Sequence, residues 1–459
     1  MNMKYHIITF GCQMNKSDSE RIKSILDSIS LQETSQEEEA DFILMNTCSV
    51  RQKGEDRVYS LANKFDRIRK KQKRNIVIGI TGCMAGRDHD GRIRKKLPMV
   101  DLFFDIQEIT QLPEMLSQYN YNISHLNPLD QDYLKVKPKY KNAFQAYIPI
   151  QTGCNQFCTY CVVPFSRGRE RNRPLKEILD EATLLAEQGA KEITLLGQIV
   201  NRYDFEDKEY VSKNNPYTNG FAQLLWEINN IRGIERIHYT APHPRYMDNE
   251  VIDALGLSHH LNFLHLPVQS GSNVILKRMN RQHTRELFIE KVHAIREKFP
   301  HIALGTDIIV GFCGETEEDF EQTVSLYKEC SFDISYTAQY SPRTGTLAYK
   351  ALPDDVPQEE KKRRWRILQN LMEEITYTKN QYYKEKVVSV LFEEYKNNIA
   401  TGWSREMKKV QVKTTFDPTG LILDVQVHTC MTWLLEGEII TPFTPQKQTT
   451  KGRLPMFIR

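Results

Sequence analysis

No stretch of the 459 residues approaches the roughly 18 consecutive apolar positions that a membrane helix requires. The start, Met1 to Phe10, holds too short an apolar run for a secretory signal, and no cleavage site precedes Gly11 and Cys12. These two absences predict a cytoplasmic chain with no membrane association, whose thiols stay reduced and available to iron. Charge of one sign is also scarce. The formal net charge is +3, so the global balance neither requires nor excludes a nucleic-acid partner, and local patches decide. His243, His259 and His260 have no carboxylate or serine at a telling spacing, so they read as exposed or capping histidines. What remains is an ordinary globular composition, 40% hydrophobic and 26% charged, in a chain long enough for about three domains.

Cysteine is sparse, nine in all, yet three fall together in Cys154-Asn155-Gln156-Phe157-Cys158-Thr159-Tyr160-Cys161. This C-x3-C-x2-C loop directly follows the apolar run Ala146 to Ile150. A structural zinc takes four ligands, and no fourth cysteine or histidine lies within a loop's reach of Cys161. Three cysteinates suit a 4Fe-4S cube, with one iron left open to a small molecule. A redox cluster, or three buried thiols, is the plainer alternative. Cys313, Cys330 and Cys430 have no partners and read as inert.

Three more cysteines share a placement. Tyr5 to Phe10, Asp41 to Asn46, Ile76 to Ile80 and Asp101 to Phe104 read as strands, with helices over Ser17 to Leu31 and about Gly54 to Lys71. Such alternation predicts a doubly wound parallel sheet. Cys12, Cys48 and Cys83 each lie just past a strand's C-terminal end, the edge where such sheets bind ligands. Gly11 and Gly82 let the backbone turn closely there. Three half-buried thiols would be the plain reading.

Beyond a linker over 107–144, with a meaningless glycosylation match at Asn122-Ile123-Ser124, the alternation resumes. Strands are predicted at Ala146 to Ile150, Glu192 to Leu196, Glu235 to Tyr239, Asn262 to Pro267, Ile302 to Val310 and Ile334 to Tyr340, separated by amphipathic helices. Thr316 with Asp319 forms a helix-start signature. Six β/α units make a partial, splayed barrel that carries its chemistry past the strand ends. Basic residues follow the cysteine loop at Arg167, Arg169, Arg171 and Arg173, where they would meet phosphate or else organise the loop through ion pairs. From about Glu385, five short strands predict a small OB-like β-barrel. The expected division is 1–144, 145–379, 380–445 and a basic tail over 446–459, all of α/β class with the small β-barrel at the end.

The cysteine loop, with an aromatic before its last cysteine, resembles the radical S-adenosylmethionine (SAM) superfamily. Nearly the whole chain resembles its methylthiotransferases, and most closely the MiaB branch. The strings that carry the likeness are Phe10-Gly11-Cys12-Gln13-Met14-Asn15, Asn46-Thr47-Cys48-Ser49-Val50-Arg51, Cys161-Val162-Val163-Pro164-Phe165 with Arg167-Gly168-Arg169-Glu170, and His265-Leu266-Pro267-Val268-Gln269-Ser270-Gly271-Ser272. The resemblance implies two 4Fe-4S clusters, an auxiliary one on Cys12, Cys48 and Cys83 and a SAM-binding one on Cys154, Cys158 and Cys161. It also implies SAM contacts from Tyr160, Gln198, Gln269 and Asp307, and a terminal barrel similar to the RNA-gripping TRAM module. The implied reaction is methylthiolation of dimethylallyl-adenosine beside the anticodon of tRNA, by a monomer served by an electron donor and a source of sulfur or clusters. Related branches modify threonylcarbamoyl-adenosine in tRNA or an aspartate of a ribosomal protein, and a non-catalytic iron-sulfur RNA-binding protein is a further alternative. Three positions depart from the family's pattern. Gly86 stands for a usual glutamine, Ile199 for an asparagine and Cys313 for a proline.

Overall fold

Alternation of apolar side chains turns the first hundred residues into a sheet with two buried faces. Phe42 and Leu44 point into one core with Tyr5, Ile22 and Leu26, whereas Ile43 and Met45 point into the other with Val58, Phe65 and Ile80. The computed structural model describes residues 3–49, 52–119, 121, 132–140 and 142–440, with the backbone alone at 52 and 53. Val50, Arg51, the Asn122-Ile123-Ser124 match and the basic tail over 446–459 lie outside the described residues. No helix among the described residues is long and apolar enough to cross a membrane.

The sheet comprises β1 (Lys4–Thr9), β2 (Gln32–Glu33), β3 (Phe42–Thr47), β4 (Val77–Gly82) and β5 (Leu102–Phe103), with helices α1 (Gln13–Ser28), α2 (Gln52–Gln72), α3 (Cys83–Gly86), α4 (Arg92–Lys95) and α5 (Leu112–Ser117). All pairings are parallel, in the order β2-β1-β3-β4-β5. This is a doubly wound order, whose crevice lies past the carboxyl ends of the strands at the point where the order reverses. Only β2 has no counterpart in the sequence reading, because two exposed polar residues carry no strand period.

The second sheet contains β6 (Gln145–Pro149), β9 (Glu192–Leu196) and β10 (Arg236–Tyr239) in one half and β11 (Phe263–His265), β12 (Ala303–Val310) and β13 (Ile334–Gln339) in the other. Between the first two of these strands, β7 (Gln151–Thr152) and β8 (Arg171–Asn172) form a small antiparallel pair around the cysteine loop. A parallel bridge from Ile237 to His260 joins the halves, so six parallel strands form an open barrel. Its helices are α6 (Val163–Ser166), α7 (Leu175–Glu187), α8 (Gly220–Asn229), α9 (Asn249–Ala254), α10 (Asn273–Arg278), α11 (Arg285–Lys298), α12 (Glu317–Cys330), α13 (Leu347–Ala351) and α14 (Gln358–Asn380). Thr316 and Asp319 form a reciprocal capping box at the start of α12, as their spacing predicts.

The doubly wound sheet and the open barrel belong to one compact unit, Met1–Ile375. The boundary expected at 144 lies within this unit, where the doubly wound sheet gives way to the open barrel. The second unit, from Thr376 on, is a closed five-stranded barrel of β14 (Val387–Lys396), β15 (Ile399–Ser404), β16 (Lys409–Lys413), β17 (Ile422–Cys430) and β18 (Leu435–Ile439), in the order β14-β15-β16-β18-β17. Strand β14 runs four residues beyond the expected end at Phe392. Polar Glu394, Tyr395 and Lys396 still pair with β15 beyond a register shift.

Candidate functional site

Cys48 follows β3 directly, Cys83 follows β4 directly, and Cys12 caps the start of α1. Their loops are closely interlocked. A side chain on Gly11, whose φ is +100°, would stand 2.6 Å from Cys48 Cβ and 2.9 Å from Cys48 Sγ, so only glycine lets the first loop lie against the second cysteine. Asn15 Nδ2 donates to the carbonyls of Phe10 and Thr47, each at 2.8 Å. Thr47 Oγ1 donates to the Thr81 carbonyl at 2.6 Å and accepts from the Met84 N–H at 3.2 Å. Buried Ser49, next to Cys48, accepts from Arg87 Nε at 3.0 Å, and Arg87 also pairs with Glu55 at 2.7 Å.

The other triplet lies beyond β6, at the mouth of the open barrel. Each of its sulfurs receives one donor. Cys154 accepts from the Gln156 N–H at 3.5 Å, Cys161 from the Val163 N–H at 3.4 Å, and Cys158 from Arg281 Nη1 at 3.6 Å. Phe157 takes a φ of +49°, strained for a bulky residue, while Asn280 Nδ2 donates to the carbonyls of Gln156 and Phe157, both at 3.1 Å. Burial pushes the Cys154 thiol up to about 11. Burial also pushes Cys161 up to about 12, with neighbouring Cys158, Cys154 and Cys83 adding to the shift. Gly86, three residues past Cys83, lies so close to Ser166, five residues past Cys161, that a Cβ there would stand 2.3 Å from the Ser166 carbonyl oxygen, so the segments after the two triplets pack together.

No three of the described His, Cys, Asp and Glu side chains converge on a single metal ion. A cube asks for something else, since its three cysteinates bind three different irons and their sulfurs stay apart. Free thiols in two triplets, N–H donors on each sulfur of one, and a glycine-lined cradle around the other fit such clusters.

The expected SAM residues fall into two groups. Gln269, at a φ of +73°, exchanges backbone hydrogen bonds with β12, its N–H donating to Asp307 O at 2.8 Å and its carbonyl accepting from Ile309 N–H at 2.9 Å. Asp307 is therefore beside it. The ring of Tyr160 packs edge-on against Phe312, and its hydroxyl lies within electrostatic reach of Asp307. Gln198 lies past β9, in the other half of the barrel. His265 Nε2, 3.3 Å from Asp307 Oδ2, was not foreseen.

The basic run needs a correction. Arg169 and Arg171 are exposed, and Arg171 pairs with Asp132 at 2.7 Å. Arg167 and Arg173 are buried and held by carboxylates, so they offer no surface to phosphate. Arg173 bonds Glu181 at 2.7 Å. Arg167 Nη2 bonds Asp18 Oδ2 at 2.6 Å and Asn15 Oδ1 at 3.0 Å. Burial opposes the Arg167 charge, but Asp18, Cys83 and Tyr133 outweigh it and hold the guanidinium above its ordinary value. His243 is also buried rather than exposed, although its Nδ1 does cap the next turn by accepting from the Arg245 N–H. Asn15, Asp18, Arg87 and Arg281 escaped the sequence reading as functional residues. The available signal was the spacing of Asn15 and Asp18, which puts both on one face of α1.

Two family models match the chain, the radical SAM superfamily over residues 148–327 and uncharacterized protein family UPF0004 over residues 4–105. A tRNA-2-methylthio-N(6)-dimethylallyladenosine synthase of Bacillus licheniformis is 40% identical over 448 residues, covering 95% of this chain and 86% of the relative. A protein of the same description from Caldicellulosiruptor saccharolyticus is 39% identical over 447 residues, covering 96% and 93%. Among solved structures, the radical S-adenosylmethionine methyltransferase TsrM of Kitasatospora setae shares the fold, with a TM-score of 0.52 at 12% identity over 76% of this chain and 74% of that one.

Proposed function

The chain belongs to the tRNA-2-methylthio-N6-dimethylallyladenosine synthase family of radical SAM proteins, and on that footing we propose that it converts N6-dimethylallyladenosine beside the anticodon of tRNA into its 2-methylthio derivative. The C2–H bond of the base is replaced by C2–SCH3. The observation that carries this reading is the packing of the segments that follow the two cysteine triplets, where Gly86, three residues past Cys83, lies directly against Ser166, five residues past Cys161.

Cys12, Cys48 and Cys83 would hold one 4Fe-4S cluster and Cys154, Cys158 and Cys161 a second, each with one iron free of protein ligands. When bound, the clusters and S-adenosyl-L-methionine would supply the electron, the methyl group, the sulfur and the hydrogen abstraction that the conversion needs. The chain's own residues bind and orient. Arg281 and the N–H groups of Gln156 and Val163 steady the second set of thiolates. Tyr160, Gln269 and Asp307, with Gln198 from the other half of the barrel, would bind SAM. Exposed Arg169 would meet phosphate near the mouth, and the terminal barrel would grip the tRNA, as barrels of this size often do. An anticodon-loop adenosine is unpaired, so turning it out of the stack costs little. The enzyme would act as a cytoplasmic monomer with an external electron donor and an external supply of sulfur or clusters.

The test is nucleoside mass spectrometry of tRNA from cells that lack the gene. The 2-methylthio derivative should vanish while N6-dimethylallyladenosine accumulates, and the wild-type gene but not its Cys158→Ala form should restore it. Undiminished 2-methylthio derivative in the deletion strain would rule the proposal out.

A further inference from the structure

The two triplets lie on different folds, yet a short segment just past Cys161 fastens them together. Helix α6, two residues beyond Cys161, lies directly on α3, which begins with Cys83. A Cβ on Gly86 would stand 2.3 Å from the Ser166 carbonyl oxygen and 2.8 Å from Asp105 Oδ2. Gly86 has an ordinary helical backbone, so this closeness, not a left-handed φ, is what demands glycine. His89 Nε2 lies 2.8 Å from the Phe165 carbonyl. One residue after α6, Arg167 crosses into the doubly wound sheet and ends between Asp18 and Asn15, with both members of the ion pair almost fully buried.

Asn15 relays that contact. Its oxygen accepts from Arg167, while its amide nitrogen holds the carbonyls of Phe10 and Thr47. Those carbonyls lie two residues before Cys12 and one before Cys48. A single guanidinium on the barrel's cysteine loop thereby fixes two of the three auxiliary cysteine loops, and Gly86 fixes the third by close contact. Arg167 Nη1 has no acceptor among the described residues, and Arg167 lies within electrostatic reach of Cys83. A buried donor without a partner is costly, and here it lies beside thiols that are anionic once they bind iron.

We propose that Arg167, Asn15 and Gly86 are positioning residues that set the separation of the two cysteine triplets, and so decide whether hydrogen abstraction leads to sulfur transfer. The proposal rests on the two-cluster reading above. It concerns neither SAM cleavage nor RNA binding.

Asn15→Ala and Gly86→Ala test it, since neither leaves a new charge unpaired and alanine is otherwise the better helix former at position 86. Iron, 5′-deoxyadenosine and methylthiolated tRNA are measured anaerobically on reconstituted protein. In iron-free protein, the alkylation rates of Cys12, Cys48 and Cys83 are measured. Both variants should retain about eight irons per chain and form 5′-deoxyadenosine at close to the wild-type rate. Product per 5′-deoxyadenosine should fall toward the roughly 100-fold loss that a 1 Å misplacement brings. Alkylation of Cys12 and Cys48 in the Asn15 variant should rise about tenfold, as expected when two ordinary hydrogen bonds are lost. Unchanged product per 5′-deoxyadenosine in either iron-loaded variant overturns the proposal. Where a variant does not hold iron, or where wild-type protein forms 5′-deoxyadenosine but no methylthiolated tRNA, alkylation decides alone. Faster alkylation at the auxiliary cysteines then supports the seam whether or not the enzymatic reading stands, and unchanged alkylation overturns it.

Discussion

Arg281 Nη1 lies 3.6 Å from Cys158 Sγ and is the only side-chain donor to any sulfur of the barrel triplet among the described residues. Half-buried three residues past α10, Arg281 also donates from its guanidinium to the Pro267 carbonyl at 3.3 Å. Positive charge and a hydrogen bond at a ligating sulfur both favour the reduced cluster.

Replacing Arg281 with methionine removes both while keeping apolar bulk. The barrel cluster's reduction potential should become more negative by about 60 mV, one charge-assisted hydrogen bond's worth for a one-electron couple. Redox titration monitored by electron paramagnetic resonance measures it, and an unchanged potential would show that the contact has no electronic role.

Gly11→Ala places a methyl group against Cys48 at a backbone φ of +100°. The expected result is loss of auxiliary iron alone. Content should drop from about eight to about four atoms per chain, with 5′-deoxyadenosine formation retained and methylthiolation abolished.

Thiolate is the nucleophile in alkylation. Cys154, pushed up to about 11, and Cys161, pushed up to about 12, are protonated at pH 8 in iron-free protein. Both should react at least about tenfold more slowly than an unperturbed cysteine of pKa near 8.5, and their rates should climb as pH rises through 10. Mass spectrometry of iodoacetamide-treated protein reads the sites separately, and fast labelling of both at pH 8 would contradict the upward shift of the two thiols.

Thr316→Ala removes the hydroxyl that accepts from the Asp319 N–H at 3.2 Å. Urea unfolding should show a loss of about 1 kcal/mol, with iron content unaltered.

That cap was legible in the sequence because it is local, and so were the six barrel strands and the placement of Cys12, Cys48 and Cys83 past strand ends. What the sequence concealed depends on contacts between distant segments. Asn15, Ser17, Asp18 and Arg21 form a polar run that reads as a solvated helix face, but all four are buried because Arg167 and Glu181 approach from the barrel side. The same contact removes Arg167 from the surface, and Glu181 holds Arg173 inside the barrel, so only Arg169 and Arg171 of a charge run that suggested phosphate binding stay exposed. His265 was invisible as a partner of Asp307 for a similar reason, since only strand pairing puts them side by side.

The account's central claim is that the two triplets act together on one tRNA base. Its most direct test is anaerobic incubation of reconstituted protein with SAM, a reductant and an anticodon stem-loop, either dimethylallylated or unmodified, followed by nucleoside mass spectrometry. The account predicts the 2-methylthio derivative from the dimethylallylated stem-loop, and none when Cys48 is replaced by alanine. Abundant 5′-deoxyadenosine with an unaltered adenosine, or undiminished product from the Cys48→Ala protein, would contradict it.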